Sequence, residues 1–271
     1  MDQSQPEPKS RIDSMLTRQP DREALCPSHG AYVSKNLFGS IWAKCPTCED
    51  IRLAEERELD RKANERREAE FLENRVAQSG LVGRFRDATF DSYSTASDEQ
   101  EHVKTACRSF AESLQRKNGG LWLVGPPGTG KTHLGSAMVN HVLRERKEWA
   151  AIHSAREIVR MLRATWGNRD SRRGWDNKPT TEEDLIDHLG TLPLLVLDEV
   201  GVSYGADAEM VQLFDVLDLR YRNELPTVLL SNLPVGELKG ALGDRAYDRL
   251  REGAVLLPCK WNSHRASGRN A

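Results

Sequence analysis

The chain lacks a strong excess of either charge and any long apolar run. Its formal net charge is −2 over 271 residues, so it has no bulk basic field of the kind that carries non-specific nucleic-acid binding. No run approaches the roughly twenty apolar residues that span a bilayer, and the polar start, MDQSQPEPKSRIDS, has no signal-peptide core. We therefore expect a cytoplasmic protein with no membrane contact, in which any DNA contact is local.

Cysteine is also scarce, with five residues in the whole chain. In a reducing compartment such cysteines serve as metal ligands or free thiols rather than as disulfides. The length leaves room for one sizeable core and a smaller appended module. We therefore expect two units.

Four metal-binding side chains near the N-terminus form two closely spaced pairs. Cys26 and His29 make up the first pair, and fifteen residues separate them from Cys45 and Cys48. Two such pairs can close a tetrahedron of thiolate and imidazole ligands around Zn²⁺. A buried thiol, a core histidine or a C-x-x-C redox motif would explain single members but not the set. A closed site leaves no position for water, so we predict a structural zinc ion in a module of residues 25–49.

The segment between these pairs, YVSKNLFGSIW, has two interpretations. Tyr32, Lys35, Phe38 and Trp42 could dock a protein or stack on bases, or they could pack around the metal. The sequence alone does not decide between them.

The zinc module is flanked by segments of very different character. The polar, proline-bearing residues 1–24 favour a disordered lead-in. From Asp50 to Arg75, sixteen of twenty-six residues are charged and none is proline or glycine. Pairs such as Glu58 and Lys62 support a helix, and the apolar stripe is too thin for a core helix or a coiled coil. We predict a solvated linker helix over 50–79.

The stretch GPPGTGKT, Gly125 to Thr132, follows the apolar run Leu121–Val124 and precedes a helical pattern. A glycine loop between a strand and a helix cradles phosphates with its backbone N–H groups and the helix N-terminus. In this motif Lys131 reaches the β and γ phosphates and Thr132 presents its hydroxyl to Mg²⁺. A glycine-rich turn without this function is the weaker interpretation. The predicted nucleotide-binding residues of the loop are Gly125, Pro126, Pro127, Gly128, Thr129, Gly130, Lys131 and Thr132.

Two further strands bring polar residues to the same sheet edge. The apolar run Leu194–Leu197 ends at Asp198 and Glu199, and Thr227–Leu230 ends at Ser231 and Asn232. The carboxyl ends of parallel strands lie together beside the phosphate loop. We predict that Asp198 helps to hold Mg²⁺, that Glu199 polarises the attacking water, and that Asn232 orients it. The alternative is that Asp198 and Glu199 form an exposed acidic turn. The prediction of a strand before them and of the phosphate loop beside them argues against it.

Other nucleotide-binding classes are tested by motifs that the chain lacks. A GTPase should carry N-K-x-D, and the nearest string is NKPT, Asn177 to Thr180. The transporter signature LSGGQ is missing. Small-molecule kinases share the phosphate cradle but usually lack this succession of DE and SN strands. ATP is therefore the expected nucleotide.

The succession of GPPGTGKT, LLVLDEV, TVLLSN and a late DRLRE resembles the AAA+ ATPases. VGRFRDATFDSY, LFDVLDLRYRNELPTVLLSNL and GDRAYDRLREG are similar to the DnaC family of replicative helicase loaders and to its relative, the IstB transposition ATPase. The resemblance covers about Leu81 to Arg265. It implies an α/β fold with a P-loop AAA+ parallel sheet flanked by helices over 80–265, followed by a tail of 266–271. About fourteen residues follow the last strand, so we expect no C-terminal lid domain.

The resemblance also implies a function. Such a protein is an ATP-dependent switch that self-assembles through its nucleotide site, engages single-stranded DNA and delivers the replicative hexameric DNA helicase. On matching positions Asn232 becomes the sensor of the γ-phosphate, and Arg249 becomes the finger that reaches a neighbour's site, with Arg245 as the alternate. An inserted arginine neutralises transition-state charge, so hydrolysis would depend on assembly. Arg265 is at best a reduced stand-in for the sensor arginine of the lid.

Two questions stay open at this level. There are two alternatives to the helicase loader. One is an IstB-like transposition helper, although such helpers usually begin with a helical domain. The other is an ATP-switched DNA-binding module without significant turnover. The segment Arg163 to Lys178 interleaves basic residues with Trp166 and Trp175. It could track phosphates and stack bases, or it could be a solvated loop.

Overall fold

The computed structural model describes residues 19–117, 119–165, 181–201 and 207–264, with the backbone alone for 207–212. The chain forms two compact units, Met1–Ala69 and Glu70–Ala271. The predicted lead-in lies largely outside the described residues, as do Arg265, the tail and most of Arg163–Lys178. No helix in the described part is both long enough and apolar enough to cross a membrane.

The first unit consists of two small hairpins and the start of a long helix. Strands β1 (Arg22–Cys26) and β2 (Gly30–Ser34) pair antiparallel, as do β3 (Asn36–Phe38) and β4 (Ile41–Trp42). Buried Asn36 donates to the carbonyls of Gly39 and Ile41 and so shapes the second turn. This unit buries little apolar surface of its own, so it depends on another source of stability.

The long helix α1 (Pro46–Gln78) begins four residues before the predicted start at Asp50 and crosses from the first unit into the second. Pro46 suits the first helical position, where no N–H partner is needed. The predicted pairing of Lys62 with Glu58 is present at 3.3 Å, and Arg61 lies against Glu58 at 2.7 Å. These pairs are exposed, which agrees with a solvated helix.

The second unit is built on one five-stranded parallel sheet. Its strands are β5 (Leu121–Val124), β6 (Ala150–Ser154), β7 (Leu194–Val200), β8 (Thr227–Ser231) and β9 (Val255–Pro258). They lie in the order β6-β7-β8-β5-β9. The connecting elements are a 3₁₀ turn (Gly83–Phe85), α2 (Asp98–Glu112), α3 (Lys131–Arg144), α4 (Ala155–Ala164), α5 (Glu182–Thr191), α6 (Asp207–Arg222), α7 (Val235–Leu242) and α8 (Asp244–Arg251). This is the predicted α/β fold.

The sheet is covered on both faces, because successive strand residues point to opposite sides. Leu121 and Leu123 of β5 pack in a cluster with α2 and α3. Trp122 and Val124 pack in a second cluster with α4 to α8. The two hydrophobic layers hold the central strands rigidly, so that their carboxyl ends can position a site.

Candidate functional site: the nucleotide cleft and the zinc module

The phosphate loop runs from β5 into the first turn of α3, as predicted. Gly128 and Gly130 have φ values of +86° and +89°, a backbone region that side chains disfavour. A Cβ at Gly130 would lie 2.5 Å from a ring carbon of Tyr93, and one at Gly125 would lie 2.0 Å from the carbonyl oxygen of Cys259. The glycines therefore meet both a conformational and a packing requirement.

Lys131 lies across the loop rather than in solvent. Its side chain is buried, and Nζ donates to the carbonyl oxygens of Gly125 at 2.7 Å and Pro126 at 2.8 Å and to Thr129 Oγ1 at 3.2 Å. The helix N-terminus and this ammonium place positive charge where phosphates would lie. The loop therefore fits a nucleoside triphosphate.

The carboxylate pair lies at the end of β7, opposite the loop. The register between β7 and β8 shifts between Leu197 and Val200, and Glu199 has a φ of +54°. Asp198 Oδ1 accepts from the N–H of Glu199 at 2.7 Å. A positive φ at a residue other than glycine is a strained backbone geometry of the kind concentrated at functional sites.

Asp198 and Thr132 are brought together as a cation site requires. Burial raises the pKa of Asp198, while a hydrogen bond from Thr132 and the charge of Lys131 oppose that rise. A hydroxyl and a carboxylate are oxygen ligands of the type that Mg²⁺ accepts beside phosphates. These two residues fit the predicted magnesium site.

One cleft of about 510 Å³ gathers most of the predicted site. Asn232 directly follows β8, is exposed and lines this cleft. The predicted residues that line it are Gly128, Thr129, Gly130, Lys131, Thr132, Asp198, Glu199 and Asn232. The structure thus brings residues from three strand ends into one cavity.

Sequence reasoning missed the side chains that hold the loop from outside. The hydroxyl of Tyr93 donates to the carbonyl of Thr129 at 3.1 Å, and Trp261 Nε1 donates to the same oxygen at 2.9 Å. The backbone N–H of His264 donates to the carbonyl of Gly128 at 3.0 Å. Tyr93 belongs to the stretch VGRFRDATFDSY, which is similar to the DnaC family, but the sequence assigned no role to Tyr93. No local pattern marked Trp261.

The two candidate finger arginines have different surroundings on α8. Arg249 forms an ion pair with Asp218 of α6 and lies over the rings of Phe214 and Tyr221, 4.8 and 5.4 Å from their centroids. Arg245 is exposed. Neither lines the cleft of its own chain.

The four predicted zinc ligands lie together in the first unit. Their ligand atoms are all within 4.8 Å of one another. Cys26 Sγ lies 3.5 Å from Cys48 Sγ, and His29 Nδ1 lies 3.7, 3.8 and 3.2 Å from the sulfurs of Cys26, Cys45 and Cys48. Tetrahedral zinc with bonds of about 2.0–2.3 Å needs ligand separations of about 3.4–3.8 Å. The donor set and its geometry fit a closed zinc site.

The crowding of thiols also favours a cation. Hydrogen bonding to Cys26, together with burial and the neighbouring sulfurs, raises the pKa of Cys48 to about 11. Phe38 is 54% exposed, so less than half of its surface is covered by the module. Trp42 is partly covered by Arg22, whose guanidinium lies 4.1 Å from the ring centroid.

The parallel sheet, the phosphate loop and the carboxylate pair define an ATP-binding protein of the AAA+ class. The sequence profile of the IstB-like ATP binding proteins matches residues 51–270. The chain belongs to this family.

Named relatives narrow the resemblance. The replicative helicase loader DnaC of Buchnera aphidicola is 30% identical over 191 residues, which are 70% of this chain and 74% of the relative. DnaC of Escherichia coli is 30% identical over 190 residues, with the same coverage. The crystal structure of the DnaC helicase loader superposes with a TM-score of 0.57 at 20% identity, covering 65% of this chain and 99% of that one. This last likeness supports the fold.

Proposed function

We propose that this protein is an ATP-dependent loader that delivers the replicative DNA helicase to single-stranded DNA during replication initiation. The observation that carries the proposal is the convergence of the phosphate loop, Asp198, Glu199 and Asn232 in one cleft. The relatives called replicative helicase loaders supply the output to which ATP hydrolysis would be coupled. ATP binding and hydrolysis in the cleft would therefore drive delivery of the helicase.

Each residue of the cleft has a distinct proposed role. Lys131 binds the β and γ phosphates, and Glu199 accepts a hydrogen bond from the attacking water and orients it for in-line attack. Asn232 contacts the γ-phosphate and so reports its presence to β8. Thr132 and Asp198 hold Mg²⁺, which neutralises phosphate charge when bound.

The finger arginine would come from a neighbouring copy of the chain. Arg249 is the first candidate and Arg245 the second, because both lie on α8 and the DnaC resemblance matches that helix to the finger region. For Arg249 to act on a neighbour, its ion pair with Asp218 must open. Assembly and turnover would then be linked.

The zinc module and α1 are proposed to tether the helicase. Several large apolar side chains of the module are exposed, which supports a docking role because contiguous exposed apolar groups mark interaction surfaces. These are Leu25, Val33, Leu37, Phe38 and Ile41. The zinc ion would maintain the hairpins that present them.

A transposition helper is the second candidate, and the observation that favours it is the match to the IstB-like family itself. The two functions differ in the partner, so co-purification from native cells separates them. Recovery of the replicative helicase supports the loader, and recovery of a transposase in its place contradicts it.

Turnover is tested on purified protein with and without single-stranded DNA. We expect slow ATP hydrolysis that the DNA accelerates. Glu199→Gln should abolish turnover and accumulate an ATP-bound assembly, whereas Glu237→Gln, an exposed control on α7, should behave as wild type. ATP binding without turnover under all conditions would favour the binding-module alternative.

A further inference from the structure

The cleft has a second wall that carries none of the phosphate-binding residues. The segment Gly83–Ser94 contributes seven of the residues that line it. A nucleotide whose phosphates lie in the loop must place its nucleoside against the remaining walls of the cleft. The position of this segment relative to the loop therefore affects how the nucleoside is bound.

The wall segment is short, and its internal hydrogen bonds close single turns, such as Ala88 N–H to Phe85 O at 3.2 Å and Ser92 N–H to Thr89 Oγ1 at 3.1 Å. Its 3₁₀ turn is closed by bonds from the N–H of Phe85 to Val82 and from the N–H of Arg86 to Gly83, at 3.2 and 3.1 Å. Ala88 follows, only 3% exposed. A segment of this kind needs outside contacts to hold one conformation, because single 3₁₀ turns have poor hydrogen-bond geometry.

Outside contacts hold both parts of the segment: His133 of α3 bonds to Thr89 O and Ser92, and Asn140 of the same helix bonds to residues 85–88. Asn140 is 2% exposed, and Nδ2 donates to the carbonyl oxygens of Ala88 at 2.9 Å and Phe85 at 3.3 Å. Its Oδ1 accepts from Arg144 Nε at 3.3 Å. Both amide hydrogens and the amide oxygen are thus used, which fixes the orientation of the side chain.

Helix α3 begins at the phosphate loop and also carries Asn140, which contacts the wall from outside the cleft. Lys131 opens α3, and Asn140 follows nine residues later, about 13 Å along the axis at 1.5 Å per residue. Helix α3 is buried against β5 and its neighbours. Asn140 therefore ties residues 85–88 to the helix that begins at the phosphate loop.

We infer that Asn140 is a positioning residue for nucleoside binding. It holds residues 85–88 at the distance from the phosphate loop at which the cleft binds the base and sugar of ATP. The inference rests on the proposed function, since it presumes that ATP binds in this cleft. It predicts a selective effect, because phosphate contacts come from the loop and do not involve Asn140.

The test compares two ligands, ATP and inorganic tripolyphosphate, each with Mg²⁺, by calorimetric titration of the full chain. Asn140→Asp replaces the amide nitrogen, which donates both bonds, with a carboxylate oxygen that faces the carbonyls of Phe85 and Ala88. We expect ATP to bind about tenfold more weakly, the effect of leaving the buried carbonyl of Ala88 without its donor, while the Phe85 carbonyl keeps the N–H of Ala88. Tripolyphosphate affinity should stay within about twofold of wild type, since it reports the loop alone.

Ser136→Ala is the matched control. Ser136 lies one turn earlier on α3, is 1% exposed, and its hydroxyl has no hydrogen-bond partner among the described residues. This variant should bind both ligands as wild type does. If Asn140→Asp does not fold, Asn140→Ser, which keeps one donor, replaces it in the test. The expected result is again weaker ATP binding with unchanged tripolyphosphate binding.

Unchanged ATP affinity in these Asn140 variants, or an equal loss for ATP and tripolyphosphate, overturns the inference. Failure of the wild-type protein to bind ATP would instead contradict the proposed function, and the inference with it. The two failures are therefore distinguishable.

Discussion

Arg220 is a fully buried cation whose loss should destabilise the ATPase unit. It is 1% exposed and lies on α6. Its guanidinium donates to Leu189 O and Leu192 O at 2.8 Å, to Pro226 O at 2.6 Å and to Thr227 Oγ1 at 2.9 Å. Burial lowers the pKa of Arg220. The side chain thus joins the C-terminal end of α5 to the start of β8.

The magnitude follows from the partners that Arg220→Met would leave behind. Three carbonyl oxygens lose their donor, at about 1–3 kcal/mol for each buried acceptor left unpaired. Removing the buried charge returns part of this cost, since a desolvated guanidinium is itself unfavourable. We expect a net decrease of about 3 kcal/mol in the free energy of unfolding.

The assay is urea unfolding followed by intrinsic tryptophan fluorescence, to which buried Trp122 contributes, with the midpoint and slope fitted together. Arg222→Met is the control on the same helix, because Arg222 is 65% exposed and pairs with Asp218 at 2.9 Å. An exposed pair contributes about 1 kcal/mol or less. A loss below about 1 kcal/mol for Arg220→Met, or one equal to that of the control, would refute the reasoning.

Two other predictions concern the zinc ligands and the finger. Cys45→Ser should remove stoichiometric zinc and unfold the hairpin module while ATP affinity stays unchanged. Metal analysis and nucleotide titration measure these effects. Purified wild type without zinc, or loss of ATP binding on chelation, would contradict the two-unit picture. Arg249→Ala should remove the acceleration of ATP hydrolysis by single-stranded DNA, on the order of 10³ in rate, while ATP affinity stays near wild type. Equal turnover of Arg249→Ala and wild type at saturating DNA would assign the finger to Arg245 or remove it.

The sequence by itself determined the sites that depend on local spacing. GPPGTGKT predicts its own backbone conformation, because glycines, a preceding strand and a following helix lie in one contiguous stretch. The paired ligands Cys26–His29 and Cys45–Cys48 likewise need only two short turns. Asp198 and Asn232 were placed in the cleft by a general rule, that carboxyl ends of parallel strands share one edge.

Only the tertiary structure decided which distant side chains complete those sites. Trp261 reaches Thr129 across 132 positions, and Asn140 reaches Ala88 across 52, distances over which no periodicity operates. The ion pair of Arg249 with Asp218 depends on how α8 packs against α6. Such contacts arise from the packing of separate elements around a common core, so the spacing of motifs in the sequence does not predict them.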